Sequence, residues 1–505
     1  MMNYKLILIT ITLLNFFLPL GFTPLFDLDE GAFSEATREM IESGNYLTTY
    51  LDGALRFDKP ILIYWLQAFS VHLFGLNEFA LRLPSAIAAS LWALIIWLFS
   101  SRYFDEKVAF YATLSMLGAL QINIIAKAAI ADALLNLFIA FTLFSVWVYL
   151  ESKKSRYLYA AFASIGLGVL TKGPVAILVP LATLFIYMLL KRDIKGFFKM
   201  LFNPIGWLLF LSISMPWYIL EYLDQGQKFI DGFFLKHNLE RFSSSLEHHS
   251  GSYFYYIPVL LIGFLPFTTP LLKAFFRIKK LIREDLLLYL FIWFAFVFLF
   301  FSLSGTKLPH YVLYGYTPLF IFTGYTIAKS REKTTWVFLA PTLLLLGALL
   351  LFPYAIDFFE AKNSYYEAVF TAAKETFSIE FQLITLGVIV SMVIIKFIKI
   401  TDAYKVSAIA ILFALFINMV AIRNYGLVAQ TPLKEAAAVA RGLGVDVIVY
   451  KMTRPSFLLY FGKKSLKKEP TAGDYLLIQK NNLPRFKKQS VQYSKNGIYL
   501  IRIEK

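Results

Sequence analysis

Stretches of close to twenty apolar residues, almost free of charge, recur along most of this chain. A helix of that length spans the roughly 30 Å hydrocarbon core of a bilayer. Of the 505 residues, 58% are hydrophobic and the mean hydropathy is +0.62, whereas soluble domains have about 45–50% apolar residues. Because these stretches are too long for the strands of a membrane barrel, the sequence predicts a helical protein that crosses a membrane many times.

We predict about thirteen spans by this criterion. The first ends at Gly21 to Pro24 without a small-residue cleavage site, so we interpret it as an uncleaved span and not as a signal peptide. The predicted spans cover 5–24, 83–101, 108–126, 131–150, 156–171, 173–190, 200–220, 253–272, 286–304, 309–328, 335–352, 380–398 and 404–421.

Six loops rich in Lys and Arg fall on one side of the membrane when the N-terminus is placed in the cytoplasm. Such loops are typical of the cytoplasmic side. The exterior then receives the segment 25–82, the loop 221–252 and the C-terminal tail. We therefore predict a transmembrane domain over 1–421 and an exterior domain over 422–505.

The predicted exterior domain is strongly basic, with 16 Lys and Arg against 5 Asp and Glu, a net charge of +11. A helix-like segment at 432–442 precedes three short apolar runs, which predicts a small α/β fold. The basic surface either attracts anionic lipid or polymer, or only keeps the domain soluble. The runs are Val445–Tyr450, Tyr475–Gln479 and Ile498–Ile503.

Two short helices are predicted in the first exterior segment. The first covers 29–43, with Asp29 as its N-cap and Gly44 at its end. The second begins at Pro60, ends at Gly75 and is too short to span a bilayer. Its aromatic residues suit the membrane interface, so both helices could cover a lipid headgroup site.

Several charged groups lie at the ends of spans on the side where few cations are expected. Placing an ionisable group within or at the edge of the membrane costs free energy, and such groups are often functional. Purely structural roles are also compatible with the sequence. In these, Asp29 and Glu30 begin a helix, Lys59 and Arg56 are interfacial anchors, Lys127 and Asp132 form an interface pair, and Lys172 marks a tight turn. The remaining candidates are Lys307, His310 and Tyr311.

The loop 221–252 carries a dense set of polar residues but no zinc-type spacing such as H-E-x-x-H. A histidine beside a carboxylate is more often hydrogen-bonded than bound to a metal. The chain has no cysteine, which excludes disulfides, Cys-ligated zinc and thiol catalysis. The polar set consists of His237, Glu240, Arg241, Glu247, His248 and His249.

Taken in order along the chain, the motifs resemble those of the bacterial ArnT-like glycosyltransferases, polytopic GT-C enzymes related to the protein O-mannosyltransferases. Single motifs are weak, but the ordered set covers nearly the whole chain. The matching segments are Asp29–Glu30, Met40–Gly44, Phe57–Pro60, Tyr64–Trp65, Leu170–Pro174, Pro216–Tyr218, His237–Phe242, Lys307–Tyr311 and Pro455–Tyr460.

The resemblance implies roles for individual residues. Asp29, with Glu30 beside it, falls at the essential aspartate of the first loop, and Asp132 falls at a second acidic position, so all three are predicted to be catalytic. Lys59, Arg241 and Lys307 are predicted to bind the carrier phosphate. The other predicted pocket residues are Lys172, His310 and Tyr311, and the predicted ligands of a divalent cation (Zn²⁺, or Mg²⁺ or Mn²⁺) are Asp58 and His237.

The resemblance also implies a reaction. A sugar would pass with inversion from undecaprenyl phosphate to lipid A or another envelope acceptor, lipid or glycan, at the outer face of a bacterial inner membrane. No cofactor is certain, and no nucleic-acid partner is expected. One departure concerns specificity: family members that use aminoarabinose carry an arginine where this chain has Ala32.

Other classes of function remain open from the sequence. A flippase for lipid-linked sugars would show paired halves and spans interrupted at mid-membrane, whereas the charges here cluster at one face. A protein O-glycosyltransferase would differ only in its acceptor. An assembly factor without catalysis would tolerate the loss of Asp29.

Overall fold

Apolar helices make up most of the structure, a computed structural model that describes residues 3–233, 251–330 and 335–505. Within these ranges, seven helices are long and apolar enough to cross a membrane. They are Glu78–Tyr103, Asp132–Ser152, Pro204–Gln225, Asp285–Leu303, Leu339–Phe358, Ile379–Phe397 and Asp402–Ala429. The prediction of a helical polytopic protein is confirmed, and the count of thirteen spans stays a prediction.

Several other predicted spans are interrupted or shorter. The window 108–126 divides at Ala119, whose backbone is extended, and the window 309–328 begins as a 3-10 helix over Pro309–Gly315. The window 253–272 breaks around Pro266, which lacks the amide hydrogen that a continuing helix needs. The shorter helices are Tyr4–Thr12, Glu106–Gly118, Leu120–Ile125, Ser155–Lys172, Val175–Leu190, Ile194–Leu201, Gln227–Phe229, Tyr256–Gly263, Thr268–Phe276, Ile278–Leu281, Tyr316–Lys329 and Ser364–Thr376.

The helices Glu106–Gly118 and Tyr316–Lys329 pack closely in the middle of the bundle. A Cβ atom on Gly324 would lie 2.7 Å from the Cα of Ala112, so only glycine permits this approach. Small residues at such contacts are typical of helices in membranes, where van der Waals packing drives association.

The two helices predicted in the segment 25–82 are present, and the name exterior refers to the predicted side of the membrane, which stays a prediction. The first runs over Asp29–Ser43 and ends at Gly44 with φ +68°, the left-handed conformation that favours glycine. Asp29 is the first residue of this helix and not its cap, so the predicted N-cap is wrong. The second helix, Leu62–Phe74, follows a small hairpin of β1 (Tyr50–Leu51) and β2 (Ala54–Leu55).

The C-terminal part forms a small α/β unit, as predicted. A helix over Thr431–Leu443 leads into a four-stranded sheet with the order β3-β4-β6-β5. A second helix, Pro455–Phe461, packs against the first around the buried Phe457. The strands are β3 (Val447–Val449), β4 (Tyr475–Gln479), β5 (Gln489–Lys495) and β6 (Ile498–Ile503).

The C-terminal unit docks onto the start of the first exterior helix. Asp27 accepts hydrogen bonds from the backbone N and the Oγ of Ser456, at 2.9 and 2.7 Å. A Cβ atom on Gly31 would lie 2.6 Å from the same backbone N, so glycine is required for this contact. The Tyr460 hydroxyl donates to Glu78 and accepts from the backbone N of Leu25.

This docking contact is expected to weaken as pH rises. Burial outweighs the two hydrogen bonds from Ser456 and raises the pKa of Asp27 from 3.8 to about 6. A carboxyl whose pKa is raised on folding stabilises the fold below its unfolded pKa, and this contribution is lost as pH rises through about 6. Two pKa units set an upper bound of about 3 kcal/mol on the effect.

Thermal unfolding of the wild type and Asp27→Asn from pH 4 to pH 7.5 measures this contribution. We expect the wild type to lose stability relative to the variant as pH rises. Asp446→Asn removes an exposed carboxylate of the same unit and serves as the control. Parallel pH profiles for the wild type and Asp27→Asn would contradict the prediction.

Candidate active site

Asp29 and Glu30 are neighbours in sequence but have opposite surroundings. Glu30 is 5% exposed and pairs with Arg82 through two bonds of 2.8 Å, while Asp29 is exposed. The Glu30 oxygens also accept from the backbone N of Ala129 and of Phe26, at 2.7 and 2.9 Å. Glu30 is therefore fully engaged, and Asp29 is left open to a substrate.

The Glu30–Arg82 pair joins three segments of the chain. Arg82 also donates to the backbone oxygens of Leu20, Thr23 and Pro24, so it ties the end of the first span to the helix Glu78–Tyr103. Burial alone would raise the pKa of Glu30, but the Arg82 guanidinium lowers it below its usual value. The pair fixes the helix start that carries Asp29. Glu30 as a catalytic residue stays a prediction, and its contacts favour a positioning role.

Asp132 and Lys172 form a buried ion pair. The Lys172 Nζ lies 2.7 Å from Asp132 Oδ1, and the two side chains are 9% and 4% exposed. The Tyr314 hydroxyl donates to the same oxygen at 3.0 Å. The ammonium also lies over the rings of Tyr311 and Tyr314, at 5.8 and 5.5 Å from their centroids. The two structural interpretations, a Lys127–Asp132 pair and Lys172 as a turn marker only, are therefore wrong.

Tyr314 was missed by the sequence reasoning. The 3-10 helix Pro309–Gly315 has three residues per turn, so Tyr311 and Tyr314 lie on the same face. If the motif Lys307 to Tyr311 had been predicted to continue as a 3-10 helix, Tyr314 would have been identified as a neighbour of Tyr311.

His310 lies where these groups meet. The half-buried imidazole interacts electrostatically with Asp132 and Lys172 of the span ends and with Asp29 and Lys59 of the first exterior segment. Five predicted site residues, which are distant in sequence, thus belong to one cluster. It contains the acid and base groups that a group-transfer reaction requires.

The segment before the second exterior helix presents cations to this cluster. Lys59 is half-buried and its Nζ donates to the backbone O of Asp58 at 3.0 Å. Arg56 pairs with Asp58 at 3.0 Å and stacks over Phe33, with its guanidinium carbon 5.4 Å from the ring centroid. Arg56 is 9% exposed, so its interpretation as an interfacial anchor is wrong.

Arg56 is a second group that the sequence reasoning missed. Its Nε forms no hydrogen bond with the described residues, and the guanidinium interacts with the buried hydroxyl of Tyr64 beside it. The guanidinium also interacts electrostatically with Asp29. A buried cation with an uncommitted donor is suited to hold an anionic or hydroxyl group of a substrate.

Lys307 lies three residues before His310, between the helix Asp285–Leu303 and the 3-10 helix Pro309–Gly315. It is 6% exposed, donates to the backbone O of Ser304 at 2.7 Å, and lies 5.6 Å from the centroid of the Tyr253 ring. Arg241 and His237 fall in 234–250, outside the described residues.

The predicted metal site is incomplete in the part of the chain that the structure describes. That part contains no group of three or more His, Cys, Asp and Glu residues that could hold an ion. Asp58, one of the two predicted ligands, pairs with Arg56 at 3.0 Å, and a neighbouring guanidinium disfavours a cation. The divalent cation stays a prediction.

The chain has extensive similarity to known proteins. Residues 58–220 match the family described as dolichyl-phosphate-mannose-protein mannosyltransferase. An undecaprenyl phosphate-alpha-4-amino-4-deoxy-L-arabinose arabinosyl transferase of Wigglesworthia glossinidia brevipalpis is 29% identical over 66% of this chain and 59% of its own length. The chain thus spans about three fifths of the length of that relative.

An uncharacterized protein of Aquifex aeolicus is 31% identical, over 62% of this chain and 70% of its own length. Among solved structures, ArnT from Cupriavidus metallidurans bound to undecaprenyl phosphate superposes with a TM-score of 0.83. The superposition covers 99% of this chain and 97% of that one, at 21% sequence identity. The two chains therefore share the GT-C fold, including the small C-terminal sheet domain.

Proposed function

We infer the function from one premise: the chain belongs to the ArnT-like family of GT-C membrane proteins. We propose that it is an inverting glycosyltransferase that moves a sugar from undecaprenyl phosphate to an acceptor of the cell envelope. In this proposal the reaction takes place at the outer face of a bacterial inner membrane. The N-terminus is then cytoplasmic, thirteen spans cross the bilayer, and residues 422–505 lie in the periplasm.

One observation carries the proposal: the electrostatic cluster around His310. It joins an exposed carboxylate, Asp29, to the cations Lys59 and Lys172, which come from three segments of the chain. A transporter would need such charges along a path through the membrane, whereas here they gather at one end of the bundle.

The leaving group sets the first requirement of the reaction. When the bond between the sugar C1 and the phosphate oxygen breaks, negative charge develops on the lipid phosphate. Fixed cations aimed at that oxygen stabilise the transition state. We assign this role to Lys59 and Lys307, together with Arg241 from the loop outside the described residues.

The acceptor sets the second requirement. A hydroxyl oxygen attacks C1 from the face opposite the phosphate, and its proton passes to the Asp29 carboxylate, which acts as general base. If the acceptor is already a phosphate, no strong base is needed and Asp29 orients it. The Asp132–Lys172–Tyr314 group is held rigidly by its own contacts, so we assign it to positioning the sugar.

The sugar and the acceptor are the least constrained parts of the proposal. Relatives that match the chain are named for aminoarabinose transfer, and the acceptor that we favour is lipid A or another envelope lipid or glycan. Ala32 is buried in the first exterior helix, where aminoarabinose users of the family carry an arginine. The guanidinium of Arg56 lies over the ring of Phe33, the residue that follows Ala32. We therefore propose a sugar other than aminoarabinose.

A protein acceptor is the second candidate. The match of residues 58–220 to a family described as protein mannosyltransferases favours it. The two candidates share the donor chemistry and differ in the acceptor alone, so an acceptor panel separates them.

Replacing Lys59 with alanine is expected to weaken binding of undecaprenyl phosphate by about 10- to 100-fold, because a charged hydrogen bond contributes about 1.5–3 kcal/mol. Binding is measured with the purified full chain in detergent. Lys487→Ala, which removes an exposed lysine of the C-terminal unit, is the control. Equal affinities of the wild type and Lys59→Ala would show that Lys59 is only an interfacial anchor.

A further inference from the structure

A groove at the end of the bundle that carries Asp29 contains a buried lysine. Lys127 is 7% exposed. Its Nζ donates to the backbone O of Asn123 and to Oδ1 of Asn418, both uncharged. Lys127 forms no ion pair with any residue that the structure describes.

The charged groups near Lys127 do not neutralise its positive charge. The charged groups that act on it are Arg82 and Glu30, and these two already neutralise each other as an ion pair. A buried ammonium without a counter-charge is costly. Since an ammonium has three N–H donors and two are used here, a ligand with a negative oxygen would supply what the site lacks.

The groove has apolar walls around this cation. Its volume is about 260 Å³. At its rim Ile124 and Tyr425 are 45% and 56% exposed on the apolar outer surface of the bundle. The apolar part of the lining consists of Pro19, Phe26, Ile124, Ala128, Ile422 and Tyr425. The polar part consists of Lys127, Thr23, Asn418 and the mutually paired Glu30 and Arg82. Such a shape suits an acyl chain with an anionic head at its inner end.

Two π-helical segments meet beside the lysine. They are Leu13–Phe17 of the first span and Ile417–Ala421 of the last one. Each carries one buried asparagine, and the Asn418 Nδ2 donates to the backbone O of Asn15 at 3.3 Å. Such wide turns are rare and occur frequently at functional sites. Here the Asn418 side chain accepts a hydrogen bond from the lysine, while the Asn15 Nδ2 donates to the backbone O of Leu117.

We propose that this groove binds a phosphate-bearing lipid, with its phosphate on Lys127 and an acyl chain along Ile124 and Tyr425. The ligand class is an anionic phospholipid such as phosphatidylglycerol. The site is distinct from the sugar-transfer cluster, because the Glu30–Arg82 pair lines this groove but none of the charged groups around His310 does. The proposal does not depend on the reaction that the chain catalyses.

The test uses the full-length protein in detergent, with phosphatidylglycerol or phosphatidylcholine added to equal amounts. Bound lipid is counted by native mass spectrometry, and lipid-dependent thermal stability is measured in parallel. Lys127→Gln removes the charge, and Ala128→Leu fills the groove while Lys127 remains. Lys487→Gln removes a charge from the basic C-terminal unit and controls for non-specific attraction.

We expect phosphatidylglycerol to bind and to raise the Tm of the wild type and of Lys487→Gln. Both groove variants should bind it at least about tenfold more weakly, as expected for the loss of one charge-assisted hydrogen bond or of the space for the chain. Equal binding by Lys127→Gln and Ala128→Leu, or equal binding of phosphatidylcholine, would overturn the proposal. Displacement of the lipid by millimolar inorganic phosphate would assign the site to a free anion and would also overturn it.

Discussion

Replacing Asp29 with asparagine is expected to lower the rate of sugar transfer by about 10²- to 10⁴-fold, the contribution of a general base. The change keeps the size of the side chain and removes only the carboxylate. Because Asp29 is exposed and does not cap its helix, the fold should be unaffected. Binding of undecaprenyl phosphate should stay within about twofold, since the phosphate is held by cations.

The measurement compares turnover and carrier affinity for the wild type and Asp29→Asn. Asp446→Asn makes the same chemical change at an exposed site of the C-terminal unit and is the matched control. Transfer by Asp29→Asn at the wild-type rate would remove Asp29 from the reaction. An equal loss in carrier affinity would instead assign Asp29 to binding.

Replacing Arg82 with glutamine is expected to destabilise the protein by about 3–5 kcal/mol, the usual cost of removing one partner of a buried ion pair. Glu30 would be left at 5% exposure with only the backbone N–H groups of Ala129 and Phe26 as donors. Burial would then raise its pKa, and either the unpaired charge or the uptake of a proton costs stability. The backbone oxygens of Leu20, Thr23 and Pro24 would lose their donor as well.

Unfolding in mixed micelles measures this loss. The double variant Glu30→Gln with Arg82→Gln removes both charges and should be less destabilised than Arg82→Gln alone, because no buried charge is left unpaired. Lys374→Gln, which breaks an exposed pair with Asp357, should change stability by less than about 1 kcal/mol. If Arg82→Gln behaved like Lys374→Gln, the pair would not hold the helix start in place.

Local patterns in the sequence were sufficient to predict the two exterior helices and most of the C-terminal unit. Gly44 and Gly75 end the two exterior helices where predicted, and the runs at 475–479 and 498–503 are strands. The strand β5, Gln489–Lys495, was missed because its residues are mostly polar. It lies at the edge of the sheet, where a strand buries little.

The site was only partly predictable, because its contacts join distant segments. Asp132 and Lys172 were singled out separately, although consecutive antiparallel spans place the start of one beside the end of the next. The helices Asp132–Ser152 and Ser155–Lys172 form such a hairpin. The burial of Arg56 had no local signal in the sequence, because the guanidinium lies over Phe33, which is 23 residues earlier in the chain and belongs to the helix Asp29–Ser43.

Transfer by the purified full chain in liposomes, with a panel of undecaprenyl-phosphate sugars, tests the proposed function most directly. Lipid A, envelope glycan and protein are supplied as separate acceptors, and free undecaprenyl phosphate is measured together with the labelled product. We predict release of undecaprenyl phosphate in step with product, from a donor sugar other than aminoarabinose, and loss of this release in Asp29→Asn. Movement of the same lipids across the bilayer, with no turnover of any donor, would contradict the proposed glycosyltransferase activity and identify a transporter.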